Sequence, residues 1–168
     1  LKELKYHVDL TENDKIFYFT TCGWMMWNWL VSSLAFGSTL ILYDGNPFYP
    51  SPKHFLKLIN DIKVTVFGTS AKYISHLKSM GVKPIKIGSF KHIKSILSTG
   101  SPLTEDLFDF VYKSWKNDVQ LSSISGGTDI ISCFALGNPI LPVYRGELQC
   151  IGLGMSVNSF DKNGVSLI

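Results

Sequence analysis

The sequence predicts an α/β fold: a mostly parallel sheet with helices on both faces, then a short antiparallel β segment near the C-terminus. Between residues 15 and 121, short apolar runs alternate with longer helical patterns. Repeated strand–helix–strand order is typical of a parallel sheet that helices cover. After residue 141 the pattern changes to strand-like runs at 147–152 and 155–161, with a hairpin signal, Lys-Asn-Gly, at 162–164.

Five short runs are predicted as the strands of the parallel sheet. They cover residues 15–21, 38–44, 64–68, 94–99 and 118–121. The run at 64–68 is short and apolar, as strands buried on both faces are. These patterns divide the chain into an α/β unit over residues 1–141 and the start of a β-rich segment over residues 142–168.

Four stretches between these strands are predicted as helices. They cover residues 24–36, 53–62, 71–80 and 105–117. The apolar stretch at 24–36 is too short to cross a bilayer, which takes about 20 residues, so we expect a buried helix. Ser70 and Thr104 are expected to cap the third and fourth helices, and Gly81 is expected to end the third.

The composition is that of a globular domain with a mild positive charge. The 168 residues, 45% of them hydrophobic and 17% charged, are enough for one domain with a real core. A net charge of +3 is too small a bias to indicate a nucleic-acid partner. The densest basic stretch, 83–94, lacks repeated aromatic residues for base stacking, which favours a solvated face over contact with a phosphate-bearing ligand.

Three cysteines, at positions 22, 133 and 150, have no C-x-x-C spacing, which argues against a disulfide framework or a zinc site. We expect buried, unreactive thiols in a reducing, cytoplasmic environment. The chain begins with Leu rather than Met and stops where a strand after the 162–164 turn should begin. We therefore expect a fragment of a longer protein.

Four polar loops with glycines follow predicted strands. They cover residues 20–24, 68–73, 99–103 and 123–129. Because the carboxyl ends of parallel strands lie at one edge, and ligands bind beyond that edge, we expect the loops to form one site.

Thr128 and Asp129 are the strongest candidates within these loops. A hydroxyl beside a carboxylate can bind a phosphate oxygen and its Mg²⁺ counter-ion, since Mg²⁺ prefers one or two carboxylates together with phosphates and water. The alternative is that Thr128 or Asp129 caps a short helix over residues 130–136. The residues alone leave these two interpretations open.

Other features are more ambiguous. Gly100, Ser101 and Pro102 could lie against a flat ring, but a strand-to-helix turn uses the same residues and is favoured locally. Arg145, the single Arg among sixteen basic residues, indicates either a need for a planar fork or chance. The common nucleotide fingerprints, G-x-x-x-x-G-K-[ST] and G-x-G-x-x-G, do not occur in the sequence.

Four segments carry a resemblance to a known family. They are residues 17–48, 64–73, 96–103 and 123–139. They resemble the adenylate-forming acyl-CoA synthetases, and most closely those that activate acetoacetate. The resemblance implies an internal part of the large domain of a ligase that uses ATP, Mg²⁺ and CoA. In the family, the carboxylate attacks the α-phosphate of ATP to give an acyl-adenylate and pyrophosphate, and the CoA thiol then displaces AMP.

The resemblance also implies roles for the nucleotide-binding loops. Thr128 would contact the α-phosphate. Asp129 would hold Mg²⁺, although the superfamily usually has the longer Glu there, which leaves direct and water-mediated contact open. The segment matching the adenine pocket is Gly100, Ser101 and Pro102, and the segment bordering the nucleotide is Ser123, Ile124, Ser125, Gly126 and Gly127.

For the acid, the resemblance implies a pocket whose size depends on Gly126. Acetate-activating relatives have a Trp at that position, so Gly leaves room for a longer acid. Other wall residues would be Trp24, Met25, Met26 and Thr99, and Ser70 would border the CoA channel. Two alternatives remain: a ligase for another short or medium-chain acid, and a non-catalytic nucleotide-binding domain.

Overall fold

A computed structural model describes residues 1–167 and has a parallel sheet as its centre. The five strands of this sheet are β1 Lys15–Tyr18, β2 Thr39–Ile41, β3 Val66–Ser70, β4 Ser95–Thr99 and β5 Gln120–Ser123. Their spatial order is β2-β1-β3-β4-β5, and every neighbouring pair is parallel. The prediction of a mostly parallel sheet is confirmed.

Helices cover both faces of this sheet, as predicted. They are α1 Lys2–Tyr6, α2 Met25–Val31, α3 Pro52–Asp61, α4 Ala71–Ser79 and α5 Glu105–Ser114. α3, α4 and α5 pack on one face around Phe17, Phe67 and Trp115. α1 and α2 pack on the other face around Tyr18 and Leu97.

Gly68 allows a large aromatic ring to lie across the second face. Its strand partner Tyr18 would have its ring 2.0 Å from a Cβ added at Gly68. The Tyr18 hydroxyl donates a hydrogen bond to the Thr69 carbonyl, 2.9 Å away. Burial raises the pKa of Tyr18, so this hydroxyl remains protonated.

The apolar stretch at 24–36 forms α2 and a 3₁₀ turn over Ser32–Phe36. Met26, Trp29 and Leu30 are buried while Asn28 is exposed, so the helix is buried on one side only. The Ser32 hydroxyl donates to the Asn28 carbonyl at 2.8 Å, as Ser often does where a helix bends or ends. Over the described residues, none of the helices has the length and apolar character to cross a membrane.

One predicted helix cap is confirmed and the other is wrong. Ser70 accepts a hydrogen bond from the Tyr73 N–H at 3.2 Å, and Gly81 follows α4 at φ 66°. Thr104 precedes α5 but makes no side-chain cap bond. Its hydroxyl donates to the Asp106 carboxylate, a charge-assisted hydrogen bond that orients the Thr104 side chain toward Asp106.

A second, antiparallel sheet follows the first. Its strands are β6 Ser125–Gly127, β7 Ser132–Leu136 and β8 Cys150–Ile151, in that order. The alternative of a helix over residues 130–136 is therefore wrong. The backbone of residues 132–136 pairs with β6 and β8 instead, because tertiary context overrides the local preference.

The last residues contain less strand than predicted. Of the run at 147–152 two residues are strand, and the run at 155–161 forms no strand, only an isolated bridge between Phe160 and Ser166. The turn at 162–164 is confirmed by the bond from the Gly164 N–H to the Asp161 carbonyl at 3.0 Å. The division of the chain between residues 141 and 142 stays a prediction.

The exposure of the basic stretch agrees with its predicted character, whereas that of the cysteines agrees only in part. Lys83, Lys86 and Lys91 are exposed, which favours the solvated-face interpretation of that stretch. All three cysteines are free, but Cys133 alone is buried; Cys150 is half-buried and Cys22 is exposed. The expectation of buried thiols is therefore wrong for Cys22, because the loop after β1 leaves its side chain in solvent.

Candidate functional site

A cleft of about 500 Å³ lies beyond the carboxyl ends of β4 and β5. Its lining comes from segments far apart in sequence: residues 24–26, 29, 99–103, 123–128, 132–133, 146 and 148. Three of the four predicted loops therefore meet there. Of the predicted site residues within the described chain, Ser70 and Asp129 do not line it.

Hydrogen bonds between the ends of β4 and β5 stabilise the floor of the cleft. The Ile124 N–H donates to the Ser98 carbonyl at 2.8 Å. The Thr99 hydroxyl donates to the Ile124 carbonyl at 3.0 Å. Thr99 therefore stabilises the loop that follows β5 as well as lining the cleft.

Gly100, Ser101 and Pro102 are both a turn and a cleft wall. Gly100 has φ +89°, a left-handed conformation that favours glycine and turns the chain from β4 toward α5. A Cβ at Gly100 would lie 3.8 Å from the indole of Trp24. The two interpretations of this segment are thus compatible.

The wall opposite is apolar and aromatic. Trp24 precedes α2, Met25 and Met26 begin it, and all three are buried or half-buried. The ring of Tyr18 lies edge-on to both Trp24 and Trp29, with centroids 6.0 Å away in each case. Such packing holds the wall rigid and gives it a surface suited to an apolar or planar group.

Gly126 lies where two strands approach most closely. It pairs with Cys133 across β6 and β7, next to a register shift. A Cβ at Gly126 would be 2.6 Å from the Ser132 carbonyl oxygen, closer than real side chains come to backbone. A side chain at this position would therefore require β6 and β7 to shift relative to each other, whatever its effect on the volume of the cleft.

Thr128 and Asp129 lie in the exposed turn between β6 and β7. Thr128 lines the cleft, and Asp129 is the next residue along the turn. The Ile131 N–H donates to the Thr128 carbonyl at 3.2 Å. Ile131 itself has φ +45°, which is strained for a β-branched residue.

The residues at this turn fit a shared rather than an all-protein metal site. Among the described residues, no group of three or more His, Cys, Asp or Glu side chains could hold a metal ion. A lone carboxylate beside a hydroxyl matches Mg²⁺ sites in which substrate phosphates and water complete the coordination. Asp129 would be the protein ligand of such a site.

Comparisons with known proteins identify the family of the chain. A family model described as AMP-binding enzyme matches residues 1–157. The chain belongs to the family of AMP-binding enzymes. It is 51% identical over 164 residues to an acetoacetyl-coenzyme A synthetase of Rhizobium meliloti, covering 98% of this chain and 25% of that protein.

Two further relatives extend the comparison. The structure of an acetoacetyl-CoA synthetase from Streptomyces lividans matches with a TM-score of 0.90 and 41% identity, over 99% of this chain and 26% of that one. A malonamoyl-CoA synthetase of Penicillium aethiopicum is 39% identical over 180 residues, covering 99% of this chain and 25% of that protein. The chain thus spans about a quarter of the length of these relatives.

In this member of the family, the cleft is supported from behind by a carboxylate that sequence reasoning missed. Glu3 accepts hydrogen bonds from the Trp29 indole at 3.1 Å, the Cys133 N–H at 3.0 Å and the Ser132 hydroxyl. Burial raises the pKa of Glu3, but these hydrogen bonds outweigh it and leave the pKa below its ordinary value. The partners are 26 to 130 positions away in sequence, so no local pattern could indicate them.

The same contacts make Cys133 chemically inert. Burial and the nearby Glu3 carboxylate raise the pKa of the Cys133 thiol. A thiol held protonated is a poor nucleophile. Cys133 therefore contributes packing to the cleft rather than covalent chemistry.

Arg145 holds another part of the cleft in place. Its Nε donates to Asp109 at 3.1 Å, and its Nη1 donates to Glu105, both on α5. This arrangement favours the interpretation of a planar fork over chance. The next residues, Gly146 and Leu148, line the cleft, so Arg145 ties their loop to α5.

Proposed function

We propose that the chain is part of an ATP-dependent ligase that converts acetoacetate and CoA to acetoacetyl-CoA, releasing AMP and pyrophosphate. The observation that carries the proposal is the cleft, because residues 24–26, 99–103 and 123–128 meet in it. The identity to acetoacetyl-CoA synthetases supports the choice of acid. Since the chain spans about a quarter of these relatives, the activity is proposed for the complete protein.

The first step would take place beside the turn between β6 and β7. An acetoacetate oxygen would attack the α-phosphorus of ATP, and the bond to pyrophosphate would break. The Thr128 hydroxyl would donate to an α-phosphate oxygen as negative charge builds up there. Mg²⁺, held by Asp129 together with phosphates, would supply further neutralisation of that charge.

The nucleotide and the acid would occupy opposite ends of the cleft. Gly100, Ser101 and Pro102 would flank the adenine, and the loop after β5 would border the nucleotide. That loop comprises Ser123, Ile124, Ser125, Gly126 and Gly127. The acyl end would lie against the apolar wall of Trp24, Met25 and Met26, with Thr99 and Gly126 nearby, and Ser125 is our candidate for the 3-keto oxygen.

The second step needs an approach for CoA. Its thiolate would attack the acyl carbonyl carbon, and AMP would leave. We keep Ser70 as a residue bordering this approach, although its hydroxyl already accepts from the Tyr73 N–H at 3.2 Å. A Ser70→Gly variant should raise the KM for CoA without changing the KM for ATP, if Ser70 borders the channel.

The test is acid-dependent ATP–pyrophosphate exchange by the complete enzyme carrying this chain. Where needed, the chain can replace the matching quarter of the Rhizobium meliloti relative. We expect acetoacetate to support exchange with a kcat/KM at least tenfold above that of acetate. Nucleotide binding without acid-dependent exchange would instead identify a non-catalytic domain.

A second acid is favoured by one specific relative. The identity to a malonamoyl-CoA synthetase makes malonamate, in which an amide replaces the methyl ketone, a natural competitor. The exchange panel should therefore include malonamate beside acetoacetate and acetate. A higher kcat/KM for malonamate would reassign the substrate and keep the reaction.

The isolated 168 residues should not catalyse exchange. The resemblance assigns the Gly-rich phosphate loop, the ribose-binding Asp and the catalytic Lys to parts of the family that this chain does not match. We also propose that the complete protein acts in the cytoplasm and has no nucleic-acid partner. Cell fractionation and a nucleic-acid shift assay would test these two points.

A further inference from the structure

Glu3 carries a buried carboxylate that has no role in the reaction proposed above. It lies on α1, is 5% exposed, and accepts three hydrogen bonds. An ionised carboxylate is costly to bury unless its lone pairs are satisfied. Here the donors are an indole, a hydroxyl and a backbone N–H.

All three donors belong to walls of the cleft. Trp29 comes from α2, and Ser132 and Cys133 begin β7; each of them lines the cleft. Glu3 is therefore a bridge behind the cleft, with Oε2 on the α2 wall and Oε1 on β7. Because hydrogen bonds to ions are short and directional, the bridge defines the distance between these walls.

The bridged walls face the end of the cleft assigned above to the acid. Trp29 belongs to the aromatic cluster of Tyr18 and Trp24. Cys133 pairs with Gly126, whose backbone is in close approach to Ser132. A shift of β7 would therefore move Gly126 relative to the α2 wall.

We propose that Glu3 is a positioning residue that sets the width of the acyl pocket by joining α2 to β7. The inference rests on the proposed function, because an acyl pocket presupposes an acid substrate. Glu3 acts through Trp29, Ser132 and Cys133 and does not itself touch the substrate. A misplacement of about 1 Å can cost on the order of 100-fold in rate, so a loosened bridge has a measurable effect.

The informative variant is Glu3→Gln in the complete enzyme. Glutamine keeps the size but has a single acceptor oxygen, so it can accept either from the Trp29 indole or from the donors on β7, and one side of the bridge is lost. We expect the KM for the acid in ATP–pyrophosphate exchange to rise about tenfold, with the KM for ATP changed less than twofold. A purely structural role would lower the active fraction and kcat while leaving both KM values unchanged, and that result would overturn the proposal.

Two further variants guard against a folding artefact. Trp29→Phe keeps an aromatic ring but removes one donor, and we expect it to raise the same KM by a smaller factor, about threefold. Glu12→Gln, a change at an exposed glutamate, is the matched control and should leave both KM values unaltered. Equal effects of Glu3→Gln and Glu12→Gln would also overturn the proposal.

Failure of this inference is distinguishable from failure of the proposed function. All KM ratios are measured with whichever acid the unmodified enzyme uses best. An unmodified enzyme that activates malonamate rather than acetoacetate overturns the substrate alone and leaves the Glu3 comparison in force. An unmodified enzyme that activates no acid overturns the proposed function and the acyl-pocket role together.

Discussion

Gly126 combines two requirements that the sequence could not separate. The resemblance assigns it to the acyl pocket, where a missing side chain leaves room for acetoacetate. The structure adds that even a Cβ would be 2.6 Å from the Ser132 carbonyl oxygen. A substitution therefore perturbs strand pairing before it fills the pocket.

We expect Gly126→Trp to lower the ratio of kcat/KM for acetoacetate over that for acetate. The reason is the bulk of the indole. Gly126→Ala is the control, because it introduces the backbone conflict without that bulk. It should destabilise the enzyme by about 1–3 kcal/mol, as overpacking does, and leave the ratio unchanged.

Exchange kinetics with both acids, together with thermal unfolding, measure these effects. If Gly126→Ala changes the acid ratio as strongly as Gly126→Trp, the volume argument is wrong and the position of β6 decides the specificity.

Asp129 gives a metal-specific prediction. Asp129→Asn should raise the Mg²⁺ concentration needed for half-maximal exchange by about tenfold, since a neutral amide is a weaker ligand for a hard cation. Thr128→Val should instead lower kcat by about 100-fold, as loss of one donor to a developing oxyanion does, at an unchanged Mg²⁺ requirement. A Mg²⁺ titration that is the same for Asp129→Asn and the unmodified enzyme would refute the metal role.

At the scale of elements, the cleft depends on loops that are tied to helices. The loop carrying Gly146 and Leu148 is joined to α5 through the fork of Arg145. These ion pairs are exposed, so they contribute little to stability. Their effect should appear in the geometry of the cleft.

Arg145→Lys should raise the KM for ATP by about three- to tenfold with little change in melting temperature. A single ammonium cannot reproduce two separate contacts from one planar group. Lys113→Gln is the matched control, because Lys113 pairs with the same Asp109 at 3.4 Å but is on α5 itself. Equal KM values for ATP in both variants would count against a role of the Arg145 ion pairs in the cleft. In the unmodified enzyme, 1 M NaCl should weaken these exposed ion pairs and raise the KM for ATP.

At the scale of the whole molecule, Asp14 connects three separate segments of the chain at the amino-terminal ends of the parallel strands. Its carboxylate accepts from the Thr11 N–H at 2.8 Å, from the Thr65 hydroxyl at 2.7 Å and from Lys94 at 2.8 Å. Burial raises the pKa of Asp14, but these contacts, the hydrogen bond from Lys94 foremost, outweigh it and lower the pKa below its usual value. The ionised form therefore stabilises the fold.

The sign of the pH effect follows from that direction. A lowered folded-state pKa means that the stabilisation is complete above the unfolded pKa of about 4 and is lost as the pH falls below it. Asp14→Asn should therefore lower the free energy of unfolding at pH 7 by about 2 kcal/mol, which appears as a lower melting temperature. The melting temperature of this variant should also decrease less than that of the unmodified protein when the pH is lowered below about 4. Asp61→Asn, at an exposed carboxylate, is the control and should have much less effect in thermal scans from pH 3 to 7.

Much of the fold could be predicted because its signals are local. The five parallel strands and the helices after them are found within a few residues of their predicted bounds, since apolar periodicity reflects which face is buried. The β7 strand could not be predicted in this way. Residues 130–136 have a helix-compatible pattern, but in the fold Cys133 pairs with Gly126 in a hairpin and Ala135 pairs with Ile151 of β8. This pairing overrides the local preference.

By itself, the sequence determined the parallel sheet, the edge where a ligand site should lie and the loops that could form it. These follow from local periodicity and from the shared direction of parallel strands. Only the tertiary structure decided that Ser70 does not line the cleft, that a side chain at Gly126 would meet the backbone of the neighbouring strand and that Glu3 supports the cleft from behind. The bridge made by Glu3 joins residues 26 to 130 positions apart, and the close approach at Gly126 arises from the pairing of β6 with β7; neither contact exists until the chain has folded.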